Sequence, residues 1–319
     1  MGTPVYAGSL AELGLDGWAV WSPDDGNGTQ YQFPYMSTNE TKTSNVSVIP
    51  LADNTQNPHV AIAGARIGTR TMRCILNASA SWAGFLTAIV GPRNSTGVNA
   101  GNLTPWLATF KPGANSAAYS QSRIWIRRVK IDSGWAVQGL GNLIVVNIEA
   151  IVLDPDNNGT IENFTAATTA TTGTQVSAFL QMTLQNITGG SPTVYDGFNR
   201  FVFSWDNSMA IINAPDPALG AFNTPAGCVA GSPVASLQVF QVRNATNPIP
   251  RASGFYPLTL LIPTADKTHK LTAAFAVAYV SDAEPIDLRG AIIDSATYRL
   301  VGGQSGNGTE SWPCVISYA

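Results

Sequence analysis

The chain has 319 residues, a formal net charge of −3 from 17 Lys and Arg against 20 Asp and Glu, and only 12% charged residues. That length buries a large core, as one elaborate domain or as a domain with a smaller companion. The low charge, with 30 Gly and 20 Pro, suits short strands joined by turns rather than charge-rich helices, and no apolar run is long enough to cross a membrane.

Residues 1–44 read as irregular: Asp24-Asp25-Gly26-Asn27-Gly28 is turn chemistry and 38–44 is polar, so an N-terminal arm or rim segment is expected. Residues 1–13 lack the basic start and apolar middle of a secretory signal. Strands are expected from 46–49 and then over 60–72, where Arg66, Gly68 and Arg70 alternate with Ala65, Ile67 and Thr69. Residues 85–90 are apolar on both faces and end at Gly91-Pro92, which predicts an interior strand.

In 123–131 the apolar phase slips, because Ile124 and Ile126 share one face and Val129 and Ile131 then take it over. One extra residue restores the pattern, so a β-bulge is predicted at Arg127–Arg128, with Arg123, Arg127, Arg128, Lys130 and Trp125 facing outward. Residues 143–153 give the clearest strand, with Ile144, Val146, Ile148, Ala150 and Val152 on one face and Asn147 and Glu149 on the other. The stretch 154–177, rich in Thr, Ala, Gly and Asn, predicts a long surface loop. Further strands are expected at 178–184, 200–205, 235–242, 256–262, 271–280 and 291–301. About ten strands separated by turn signals, without heptads, repeats or a long amphipathic helix, make the fold all-β, a sandwich or jelly roll. A parallel α/β arrangement lacks its helices.

Charge is unevenly distributed. Between Asn54 and Ile131 there are nine basic residues and no Asp or Glu, a block of +9, which leaves −12 on the rest. Such a block needs a partner. Encapsidated nucleic acid, the acidic surfaces of neighbouring subunits, or acidic loops of the same chain each supply one.

The run from His59 to Arg70, a polar turn, and then Ala83 to Pro92 resembles the early strand pair of single jelly-roll coat proteins of the nodavirus, tombusvirus and bacilladnavirus kind. Residues 274–288 followed by 291–300 are similar to the closing strand pair of those families. The resemblance implies an eight-stranded antiparallel jelly-roll sandwich with long loops or an inserted projection. Residues 1–44 are then an arm, 45–302 a shell domain elaborated at about 154–254, and 303–319 a C-terminal tail. It also implies a virion protein assembled inside the host cell, whose partners are identical subunits in a large homo-oligomer and viral nucleic acid. Those families usually carry a basic N-terminal arm, whereas residues 1–44 hold one Lys42 and no Arg. Genome or subunit contact therefore falls to block 54–131, through Arg66, Arg70, Arg73, Arg123, Arg127, Arg128 and Lys130.

Asp154, Asp156 and Asn158 match the first half of a calcium loop with Gly159 at its turn, but Thr165 stands where a bidentate Glu belongs. Calcium at a subunit interface, completed by a neighbour's carboxylates, is one reading and an Asx-rich turn the other. Asp24 and Asp25 are a weaker candidate. Cys74, Cys228 and Cys314 lie far apart, which reads as buried thiols rather than a metal or disulfide framework. With only His59 and His269, a catalytic triad has little material, and no enzyme, catalytic residue or required cofactor is expected. Eleven Asn-x-Ser/Thr sequons favour the alternative: a secreted, glycosylated β-sandwich binding carbohydrate or a receptor, with Trp18, Trp21 and Trp312 as stacking platforms.

Overall fold

The computed structural model describes residues 18–23, 29–49, 60–76, 78–90, 106–111, 120–137, 141–152, 182–188, 191–212, 227–231, 233–243, 246–264, 267–283, 293–301 and 314–319. The fold is all-β and antiparallel, with one helix among these residues. The first half of the chain contributes β1 (Trp18–Ser22), β2 (Tyr31–Ile49), β3 (Val60–Ile75), helix α1 (Ala80–Val90), β4 (Trp106–Lys111), β5 (Ser120–Val137) and β6 (Gly141–Val152). The second half contributes β7 (Thr183–Thr188), β8 (Ser191–Val194), β9 (Phe198–Asp206), β10 (Met209–Ile212), β11 (Gly227–Ala230), β12 (Val234–Val242), β13 (Phe255–Pro263), β14 (Lys270–Ala283), β15 (Ile293–Leu300) and β16 (Cys314–Tyr318).

In the first half, β1 pairs with β2, β2 with β3, β3 with β6, β6 with β5, β5 with β4, and β4 with β1 again, so six strands close a ring. From β5 the sheet continues through β9, β12, β15, β14, β13, β7 and β8. Phe203 on β9 and Phe275 on β14 have two strands between them in that order, yet their ring centroids are 5.6 Å apart. The sheet therefore curls over itself as a sandwich, enclosing Leu76, Ile131, Leu260 and Phe275 between its layers. Burial alternates as a half-buried sheet requires: Phe201, Phe203 and Trp205 point inward on β9, as do Ala235, Leu237 and Val239 on β12.

Residues 85–90 are helical, not the expected strand. The helix starts at a cap that an apolar-run reading overlooks, where the Trp82 backbone N–H donates to the Ser79 hydroxyl at 3.3 Å. A short run apolar on all sides does not distinguish a strand from a buried helix. Phe85 is fully buried, with Trp21, Tyr31, Trp82 and Trp106 around it at centroid distances of 5.5–6.3 Å. Contacts of this kind add about 0.5–1.5 kcal/mol each beyond burial. Gly84 lets the helix approach β2, since a Cβ there would meet Tyr31 at 2.5 Å.

The irregular reading of 1–44 also gives way where the chain is described. Trp18–Ser22 and Tyr31–Ile49 are strands. Composition misled because Thr, Ser and Asn pass for loop residues, whereas β2 is held by pairing with β3, including a 2.6 Å hydroxyl contact between Thr41 and Thr69.

The β-bulge lies where the phase slip placed it. Ile126 pairs with Ala150 and Arg128 with Glu149, leaving Arg127 as the extra residue, while Ile124, Ile126, Val129 and Ile131 are all buried. Beside the bulge β5 changes neighbour: Ser120–Ile124 pair with β4, and Arg128–Asp132 pair with β9 on the same edge. The fully buried Asn207 closes the gap between them. Its side-chain N–H donates to the Ile126 carbonyl at 2.9 Å, its backbone N–H to the Arg127 carbonyl at 2.9 Å, and its amide oxygen accepts from the Trp205 indole at 2.8 Å. Asn207→Ala removes the two side-chain bonds in a buried place, and the expected loss of stability is about 2 kcal/mol or more, read from the urea unfolding midpoint. An unchanged midpoint would show that the fork does not depend on this amide.

Candidate functional site

The outward face of β2, β3, β6, β5 and β9 carries Arg73, Arg128 and Lys130 of the basic block. Directly paired residues share a face, so the register lays out two rows across the strands. One runs Ser37, Arg73, Asn147, Lys130 and Ser204; the other runs Asn39, Thr71, Glu149, Arg128 and Asp206. Between them lies an open groove of about 590 Å³, lined by both rows as far as β5.

Acidic residues from outside the basic block meet its arginines. The Arg127 guanidinium donates to Glu149 at 3.2 Å, and Arg128 lies 3.6 Å from Glu149 and donates to Asp206 at 2.7 Å and 3.1 Å. Arg70 is buried in an ion pair with Glu40, with Ser122 at 3.5 Å. Burial lowers the pKa of Arg70, and the Glu40 charge opposes that shift. Arg73 donates to the Asn147 amide oxygen at 3.2 Å. Arg123 and Lys130 are exposed, and Arg66 stands on β3 opposite Ser44. Of the seven predicted contact residues, the rows therefore gather Arg73, Arg128 and Lys130, with Arg127 beside them, while Arg70 is turned to an internal role.

Trp125 faces outward with these cations, as expected, but it is covered. The β10–β11 hairpin lays Met209, Ile211 and Cys228 over Trp125 and Ile151. Sequence reasoning missed this small sheet, because Met209-Ala210-Ile211-Ile212 is apolar throughout and its alternating burial does not show in the sequence. It also missed Arg200, which clamps Asp132 at 2.6 and 2.9 Å and lies 5.1 Å from the Phe240 ring centre.

Asp154, Asp156 and Asn158, with Asp24, Asp25 and His59, fall outside the described residues. Among the described residues no group of three or more His, Cys, Asp or Glu is placed to hold a metal, and no helix is long and apolar enough to cross a membrane. Trp21 is fully buried and stacks on no ligand, which corrects its reading as an exposed platform; Trp312 lies outside the described residues. Cys74, Cys228 and Cys314 are buried thiols. Burial pushes Cys228 up to about 11 and raises the other two as well, so thiolate chemistry is disfavoured. His269 is exposed and stacks on Tyr318 at 5.4 Å.

The Asp206 carboxyl sits below its ordinary value. Burial raises it, but hydrogen bonds from Arg128 and the Ser208 backbone N–H, with the arginine charges, outweigh burial. A lowered folded-state value contributes stability that is present above the ordinary carboxylate value of about 3.9 and lost as pH falls through the folded one. Asp206→Asn is expected to cost about 1 kcal/mol or less at pH 6, because Arg128 is half in solvent. The urea midpoints of variant and parent should converge on acidification below about pH 4, and a gap independent of pH would remove the ion pair as its cause. No family model matches this chain and no curated protein matches it.

Proposed function

We propose that the chain is a structural coat protein, not an enzyme, whose copies assemble into an icosahedral shell around a viral genome. The observation that carries this reading is the outer side of the β10–β11 hairpin. Its inner side chains pack on Trp125 and Ile151, yet Ile212 and Val229 on its outer side are 42% and 53% exposed, and Val234, which opens β12, is 53% exposed. Val234 pairs with Asp206, so this apolar surface borders the charged rows. Apolar side chains presented together mark a surface that is covered in use, and a second copy of the chain covers it without any further component.

One further feature supports the reading and one departs from it. β14 pairs with β15 in the stretches that resemble the closing strand pair of coat proteins. The early pair does not form, because Ala80–Val90 is helical. The jelly-roll arrangement within the observed sandwich belongs to this proposal, as does calcium held at subunit contacts by Asp154, Asp156 and Asn158. Nucleic acid would meet the exposed Arg123, which lies outside the groove, rather than the buried Arg70.

Electron microscopy of the purified protein is expected to show particles. The double change Val229→Asp and Val234→Asp puts charge on the proposed contact and should lower the assembled fraction by about tenfold or more, measured by light scattering. Protein that stays monomeric across concentration, salt and added calcium would overturn the assignment.

A further inference from the structure

The groove across β2, β3, β6 and β5 has a chemistry that assembly does not use. Arg73, Arg128 and Lys130 bring positive charge to it. Glu149 and Asp132, each in an ion pair with arginine, are acceptors on the same surface. Between them stand Ser37, Asn39, Thr71 and Asn147, whose hydroxyls and amides both donate and accept. Thr38 also lines the groove, and its hydroxyl oxygen is buried without a hydrogen-bond partner.

Interleaving selects among ligands. A phosphodiester strand is attracted by Lys130 but repelled by Glu149 and Asp132, and among the described lining residues no aromatic ring is present to stack a base. A hydroxylated ring with one anionic group satisfies both kinds of neighbour: its hydroxyls donate to the carboxylates and amide oxygens, and its anion accepts from Lys130 and Arg73. A volume of about 590 Å³ falls in the range of small-ligand sites. We propose that this groove binds a short acidic oligosaccharide, a glycan bearing one carboxylate or sulfate. The inference stands apart from the assembly reading.

Isothermal titration of the full chain with sialyllactose, a sulfated heparin disaccharide, neutral lactose and oligo-dT tests it. One of the two acidic sugars should bind at least about tenfold more tightly than lactose, the difference a charge-assisted contact supplies; which one does so assigns carboxylate or sulfate. Lys130→Glu and the groove-filling Thr71→Trp should each abolish that preference, whereas Arg299→Glu, an exposed change on β15, should leave it intact. Unfolding midpoints check that the variants fold, and if Thr71→Trp does not, Lys130→Glu alone decides. Equal binding of charged and neutral sugars, insensitivity to both groove variants, or tighter binding of oligo-dT with the same variant sensitivity would each overturn the proposal. Particles that bind no sugar would sink this inference alone, and sugar binding by a protein that never assembles would sink the coat-protein reading alone.

Discussion

A strand in an antiparallel sheet has two edges and ordinarily one neighbour along each; β5 has three neighbours. Its far edge pairs with β6, and its near edge pairs first with β4 and then with β9. Switching neighbours leaves backbone carbonyls at Ile126 and Arg127 without a ladder partner, which in a buried place costs about as much as a lost hydrogen bond. Asn207 supplies both bonds. Because the Arg127 bulge falls at the same place, Ile124 and Ile126 before it and Val129 and Ile131 after it stay on the buried side. The closed ring and the curled sandwich can then share one strand and one continuous core.

That arrangement also settles where the charge goes. The basic block has no carboxylate of its own, yet antiparallel pairing sets Glu40 on β2 against Arg70, Glu149 on β6 against Arg128, and Asp206 on β9 against Arg128. These partners lie on either side of the block in the sequence, so Arg70, Arg127 and Arg128 are paired by topology rather than by local order. What remains outward is a patterned surface of ion pairs and amides with Lys130 in its midst. Under the groove proposal such a surface would select by arrangement more than by total charge, unlike the indiscriminate phosphate binding of an unpaired basic block.

The bulge was legible because strand periodicity is strict: a phase slip of one residue cannot be absorbed without an extra residue. The strands at 60–75, 141–152, 198–206 and 234–242 were legible for the same reason. The helix was not, because Ser79 is an ordinary serine until its hydroxyl is seen to accept from Trp82. Nor were β1, β4 and β16, whose five or six residues carry too few alternations to stand out from the loops around them. For the site, individual cations could be named from the sequence, but not their rows. That Ser37, Arg73, Asn147 and Lys130 lie abreast follows from three separate registers, one of which, β3 with β6, joins strands distant in sequence. The burial of Arg70 and the covering of Trp125 have the same origin, since each is decided by a partner that alternation within one strand does not reveal.

Edges complete the picture. The ring leaves no open edge where β4 meets β1 and β5, and the other end of the described sheet is β8, a four-residue strand containing Pro192, which has no backbone N–H to offer. The β16 backbone is engaged by the helix as well, since the Thr87 hydroxyl donates to the Ile316 carbonyl at 3.2 Å. Among the described strands of the large sheet few long edges stay open, so under the coat-protein proposal copies would meet through faces. The hairpin beside the charged rows offers one whose inner side is fixed on the core and whose outer side is apolar. A contact there would place the groove next to a subunit boundary, so a ligand in the groove and a neighbour on the hairpin would compete for, or share, the strip around Asp206 and Val234.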